Sequence, residues 1–168
     1  MSSAAQALAE EIRNESQATR RVLERVPEDK LGWRPHPKSM SLGQLAQHVA
    51  ELPGAISSLA DVESFDAAAA DFTPRQAASA ASLLATHDAS IETACAYLSS
   101  LSEERASAPW RMTRGDQELF TLPRVGLLRM LACNHVYHHR GQLTVYLRLL
   151  DVPVPSVYGP SADENPFA

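Results

Sequence analysis

Three histidines fall within five residues in the segment NHVYHHRGQL: His135, His138 and His139. On a helix, residues four apart lie on one face with Cβ atoms roughly 5–6 Å apart. His135 and His139 are so spaced, and their imidazoles can both reach one divalent metal ion. A third ligand must come from another helix, and His48 in SLGQLAQHVAELPG supplies the best candidate. Three neutral imidazoles leave the 2+ charge of an ion uncompensated. Such an ion lowers the pKa of bound water to about 7, and it can equally stabilise a thiolate. Zinc, nickel and iron all accept imidazole, so the residues do not choose the metal. Glu51 follows His48 by three residues and reads as a base, an extra ligand or an exposed helix carboxylate. Gln142 follows His139 by three and is expected to line the pocket. Glu51 and Gln142 are thus the candidate catalytic residues beside the metal ligands.

The other histidines read differently. His138, adjacent to His139, lies about 100° around the helix and is expected to meet solvent or a partner subunit. His36 sits between prolines in a loop. His87 shares a face with Leu84 and Ile91 and is expected to pack or cap. Cys133 is two residues from His135 and points away from it. Cys133 and Cys95 read as small buried packing residues rather than a disulfide.

Four helical segments must position these side chains. The first covers residues 3–26, with Leu8, Ile12, Val22, Leu23 and Val26 as its apolar positions. It ends near Pro27, and Gly32, Pro35 and Pro37 mark a connection. Ser41 with Gln44 is a capping-box signature for the second helix. Its stripe is Leu42, Leu45, Val49, Leu52, Ile56 and Leu59, and Pro53 should kink or split it. A long, loose connection, DVESFDAAAADF, follows. Thr73, Pro74 and Gln76 predict the start of the third helix, whose stripe includes Leu84, Ile91, Cys95, Leu98 and Leu101. SAPWRMTRGDQELFT reads as a loop or short hairpin turning at Gly115 and Asp116. Pro123 opens the fourth helix, which runs to about Leu150. Leu128, Leu131, His135, Gln142, Tyr146 and Leu149 fall on or near its inner face. No strand-like alternation of any length is evident. The expected fold is therefore all-α, a four-helix bundle with a long connection between helices two and three. A proline-rich C-terminal tail, DVPVPSVYGPSADENPFA, should extend along its surface. Its apolar Val152, Val154, Val157 and Tyr158 need a surface to cover.

With 168 residues the chain fits one domain, 1–168, and can bury a real core. The apolar share of 45% and charged share of 21% are ordinary for a globular protein, and scarce glycine favours helices. A formal charge of −5 gives no basic field for nucleic acid or anionic lipid. Arg20 and Arg21 are balanced by Glu24 and nearby acids. No apolar run approaches the roughly 18 residues of a membrane span. The stretch MSSAAQALAEEIRNES carries acids early and lacks a basic n-region, so no secretory signal is expected. The expected location is cytoplasmic.

At the metal-site residues the chain resembles a known group. RPHPKSMSLGQLAQHVAEL, NHVYHHRGQLTVYLRLL and PVPSVYGPSADE resemble the DinB/YfiT-like superfamily of bacterial proteins, over roughly residues 31–164. The resemblance implies a four-helix bundle with a three-histidine divalent metal site, often in a homodimer. Carried over, it implies His48, His135 and His139 as ligands. It also implies a metal-dependent transferase using a low-molecular-weight thiol, or a hydrolase. The expected function is a metal-dependent enzyme activating water or such a thiol against a small electrophilic substrate. The alternative is a non-catalytic metal-binding stress or ligand-sensing protein, which a closed site with Glu51 bound would favour. A plain helical interaction module is a third reading.

Overall fold

A computed structural model describes residues 3–167. Met1, Ser2 and Ala168, the ends of the expected domain and the start of the N-terminal stretch, lie outside the described residues.

The long helices begin where their caps predict. Ser3 and Gln6 form a capping box at the start of α1 (Ala4–Leu23). Ser41 and Gln44 do the same for α2 (Leu42–Asp61). α2 runs unbroken through Pro53. Pro53 has no N–H to offer, and the lost regularity is made good from outside. The Gly54 N–H donates to Ser90 Oγ (2.8 Å), and Ser90 Oγ donates to the Glu51 carbonyl (3.1 Å). Ser90 belongs to α3 (Ala80–Ser100), so the proline is where α2 and α3 lock together. A Cβ on Gly54 would lie 2.9 Å from Ser90 Cα.

α3 begins at Ala80, capped by Ser79, and not at Thr73 as the sequence suggests. The residues that resemble a cap are otherwise engaged. Gln76 accepts from Ser41 Oγ (2.7 Å) and donates to the Leu31 carbonyl (3.2 Å), and the Ala77 N–H donates to Gly43 O (3.4 Å). Residues 71–77 thus run as an irregular strap across the N-terminal part of α2.

A short α4 (Glu103–Ser107) leads into a sheet that the all-α expectation did not include. β1 (Ser64–Asp66) pairs parallel with β2 (Pro109–Arg114), which pairs antiparallel with β3 (Gln117–Pro123). The fold is mostly helical with a small three-stranded sheet. The expected turn at Gly115 and Asp116 is its hairpin, and Gly115 takes φ +57°, a conformation glycine adopts freely. The sheet buries Trp110 completely, with its Nε1–H on the Leu59 carbonyl (3.3 Å). Arg124 is also completely buried. It donates to the carbonyls of Ala60 (2.6 Å), Arg105 (3.1 Å) and Val62 (3.3 Å), capping the C-terminal end of α2.

The last helical segment is composite: α5 (Arg124–Leu127), a π-helical stretch (Leu128–Asn134) and α6 (His135–Leu149). Packing forms two apolar clusters. One gathers Leu8, Ile12, Leu98, Trp110, Leu127 and Leu128. The other gathers Val22, Leu45, Val49, Leu83, Leu143 and Leu147. Along each long helix, polar residues fall between the two clusters: Glu15 and Thr19, Glu51, His87 and Ser90, and the histidines with Arg140. The tail covers its own chain: Val152, Val154 and Val157 pack on the second cluster. Glu164 is paired with Arg21 and Arg25, and Asp163 with Arg148. Among the described residues, no helix is long and apolar enough to cross a membrane.

Candidate metal centre

The π-helical stretch sets where the histidines point. The His135 N–H donates to Met130 O, five residues back rather than four. One extra residue in a turn shifts every later position by about 100° relative to a regular α-helix. Counting 3.6 residues per turn from Leu128 would put 135, 139, 142 and 146 at the centre of the buried face. The buried positions are instead Val136, Arg140, Leu143 and Leu147, one residue later. Leu149 is exposed and so is Gln142, contrary to the inner-face expectation. The histidines are thereby moved from the core to its edge, against α2.

There the structure brings together His48, His135 and His139, all half-buried. One nitrogen of each lies within 4.8 Å of the others. Ring centroids are 4.5 Å apart for His135 and His139, 4.8 Å for His48 and His139, and 5.2 Å for His48 and His135. His135 Nε2 and His139 Nε2 are 2.8 Å apart. Two nitrogens bound tetrahedrally to one ion at ~2.0–2.1 Å sit about 3.3 Å apart, inside the span of these separations.

The electrostatics also suit an ion. Burial pushes the pKa of all three imidazoles down, and neighbouring imidazoles add to it. His135 falls furthest, to about 4, through burial and then the charges of His139, His48 and His138. The Glu51 carboxylate partly opposes the shift at His48. Neutral imidazole is the form that binds metal. The Gln142 side-chain oxygen lies 2.7 Å from His139 Nδ1. With that oxygen accepting, the His139 proton sits on Nδ1 and the lone pair of Nε2 faces the cluster. Gln142 is therefore an orienting residue on the solvent side. His135 Nδ1 is buried and has no hydrogen-bond partner among the described residues. An imidazole whose only polar partner is another imidazole gains little from burial. An ion shared by the lone pairs supplies the missing stabilisation. The three-histidine cluster could thus hold a metal ion.

The remaining sequence candidates separate clearly. His138 is exposed and contributes no nitrogen to the cluster. His87 is buried on α3, away from the site, with Nδ1 3.3 Å from Asp88 Oδ1. Cys95 and Cys133 are buried free thiols, and burial raises the Cys133 pKa to about 11. Glu51 is not among the clustered ligand atoms. It lines a cavity of about 610 Å³ together with His48, and its carboxylate accepts from Gln47 Nε2 (3.2 Å) and pairs with Arg75.

Arg75 and Phe72, also in that cavity, escaped the sequence reading because they sit on an aperiodic strap. Arg140 escaped it too. It is 2% exposed, bonded to Thr19 Oγ1 (3.0 Å), Glu15 Oε2 (2.7 Å) and the Tyr158 hydroxyl, with its guanidinium over the rings of Tyr137 and Tyr158. It ties α6, α1 and the tail together directly beneath the histidines. Its adjacency to His139 in HHRGQ was the available signal.

Comparison with known proteins finds relatives along most of the chain. An uncharacterized protein of Bacillus subtilis, YrdA, is 28% identical over 152 residues, spanning 89% of this chain and 85% of its own. The crystal structure of a DinB-like protein from Bacillus cereus shares the fold with a TM-score of 0.66 at 24% identity, covering 90% of this chain and 95% of its own. That of the DinB-like protein YjoA from Bacillus subtilis does so with a TM-score of 0.66 at 20% identity, covering 90% and 97%. The DinB family model matches residues 1–166, and the chain belongs to the DinB family.

Proposed function

We propose that His48, His135 and His139 hold one divalent ion and that the protein is a metal-dependent enzyme. Its reaction joins water or a low-molecular-weight thiol to a small electrophilic substrate, as a hydrolase or a thiol S-transferase. The observation that carries this reading is the cluster of three imidazoles, one of which, His48, lines a cavity together with the Glu51 carboxylate. Bound there, zinc, nickel or iron would act as a Lewis acid that makes a water or thiol nucleophilic near neutral pH. The chain's own residues do the rest. Gln142 fixes the His139 tautomer. Glu51 stands on the cavity wall three residues from His48, where it can accept the proton of an incoming nucleophile. Met40 and Leu52 offer apolar wall to the substrate.

Two associated expectations belong to the same proposal. The free buried cysteines suit the reducing cytoplasm. A homodimer is proposed on Val145 and Leu149, each 57% exposed and four residues apart on α6. The tail no longer argues for it, since its valines cover their own chain. Elemental analysis of native protein, followed by a screen of thiols against electrophiles, tests the central reading. Metal near one equivalent and metal-dependent conjugation or hydrolysis are expected. Protein that carries no metal and stays inert after loading would end it.

A further inference from the structure

The cavity beside His48 carries an arginine on its wall. Arg75 sits on the strap, 71% exposed at its side chain, and pairs through Nη2 with Glu51, which is 18% exposed. That pair is the only hydrogen bond Arg75 makes among the described residues, so Nε and Nη1 are uncommitted. A guanidinium presents its donors as a planar fork matched to a carboxylate. Glu51 holds one arm and thereby aims the rest of the group. The strap itself is fixed beside it, by Gln76 on Ser41 and Leu31 and by Ala77 on Gly43. Phe72, 69% exposed, lies on the same strap and lines the cavity with Leu52 and Met40. Asp71, the other charged group on the wall, is turned back on its own chain and accepts the Thr73 N–H (2.9 Å). The cavity wall therefore carries His48, the Glu51–Arg75 pair one helical turn away, and apolar surface from Met40, Leu52 and Phe72.

We propose that Arg75 binds a carboxylate of the substrate through the guanidinium N–H groups that Glu51 leaves free, with the apolar part of the substrate against the Phe72, Leu52 and Met40 side chains of the same cavity. The substrate class is then a small molecule that carries a reactive group, an apolar part and a carboxylate. The inference rests on the proposed metal-dependent reading for which end reacts, but not for the anion site itself. Glu51 gives Arg75 its orientation, so the carboxylate joins the pair without needing to break it. The binding of substrate charge is kept separate from the ligand set.

The test uses the cobalt-loaded full chain and a homologous series of straight-chain ω-mercaptocarboxylic acids with their primary amides. Titration calorimetry reads affinity, and the sulfur-to-cobalt absorption band reads whether the thiol reaches the ion. At the best chain length, the acid should bind about tenfold more tightly than the amide, the value of one exposed charge-assisted fork. Arg75→Gln should erase that preference while leaving amide affinity and metal content unchanged. Arg75→Lys should restore part of it. No acid preference in the wild type, or a preference that survives Arg75→Gln, overturns the proposal. An Arg75-dependent preference without the cobalt band would uphold the anion site and count against the metal-activated thiol. A cobalt band with equal acid and amide binding would do the reverse.

Discussion

Acidifying the metal-free protein should expose the cost of crowding three imidazoles. His135 has a folded pKa of about 4 against an unperturbed 6.5. Between those values the unfolded chain carries a proton on this residue that the folded protein does not. Stability from this group is therefore complete above pH 6.5 and is lost as pH falls toward about 4. At pH 4.5 the loss spans two pH units, each worth about 1.4 kcal/mol. Partial exposure to solvent reduces the effect to about 2 kcal/mol. The other two imidazoles change stability in the same direction, and carboxylates such as Glu11, held low by Arg129, add theirs in more acid solution.

A difference measurement isolates His135. His48 is shifted by burial and His139, and His139 by burial and His138, so removing His135 leaves both effects in place. Urea unfolding of wild type and His135→Leu, followed by far-UV circular dichroism in chelator, gives the two stability curves against pH. Wild type minus variant should be flat above pH 7 and drop by about 2 kcal/mol by pH 4.5. A difference that stays constant across that range would refute the electrostatic account of the cluster. Saturating zinc should oppose the drop, because an ion on the lone pairs excludes the proton.

Other perturbations discriminate between the roles assigned to individual residues. His48→Ala should lose bound metal, whereas Glu51→Gln should keep it and alter turnover, with metal stoichiometry and rate measured on the pair. Metal loss in Glu51→Gln would make Glu51 a ligand and favour a closed, non-catalytic site. Bound metal should begin to leave only below the usual histidine range, at pH under about 6, since the fold depresses the competing imidazole pKa values; equilibrium dialysis across pH reads this. Arg140→Met should cost about 3 kcal/mol by chemical denaturation, because Glu15 loses its buried cationic partner and the Tyr158 hydroxyl keeps only its bond to Glu15. Gly54→Ala should destabilise by about 1–3 kcal/mol despite the better helix propensity of alanine, since the new Cβ meets the Ser90 backbone.

Local patterns were legible in the sequence and long-range ones were not. Capping boxes at Ser41 and Gln44 and an i, i+4 histidine pair are written within one or two helical turns, and they mean the same thing in any fold. Thr73, Pro74 and Gln76 carry an equally good helix start, yet the chain there stays extended. The Gln76 side chain finds better partners on Ser41 and Leu31, some 35 and 45 residues away. The β2–β3 hairpin was legible as a turn at Gly115 and Asp116, but the third strand, β1, was not. β1 is three residues long and its partner lies across the whole of α3, so no run of alternation announces it.

The most consequential misreading concerns a single inserted residue. A strict 3.6-residue period places His135, Gln142, Tyr146 and Leu149 in the core of the last helix. With the π-helical turn the core is taken over by Val136, Arg140, Leu143 and Leu147. The rotation does two things at once. It sends a permanently charged guanidinium inward, where Glu15, Thr19 and two tyrosine rings compensate it. It also delivers titratable imidazoles to the edge, where they can stay neutral and meet His48, which lines the Arg75 cavity. A buried arginine one residue from a half-buried histidine is thus a mechanical consequence of the π turn. The histidine spacing names the chemistry, and the irregular turn before it decides which way that chemistry faces.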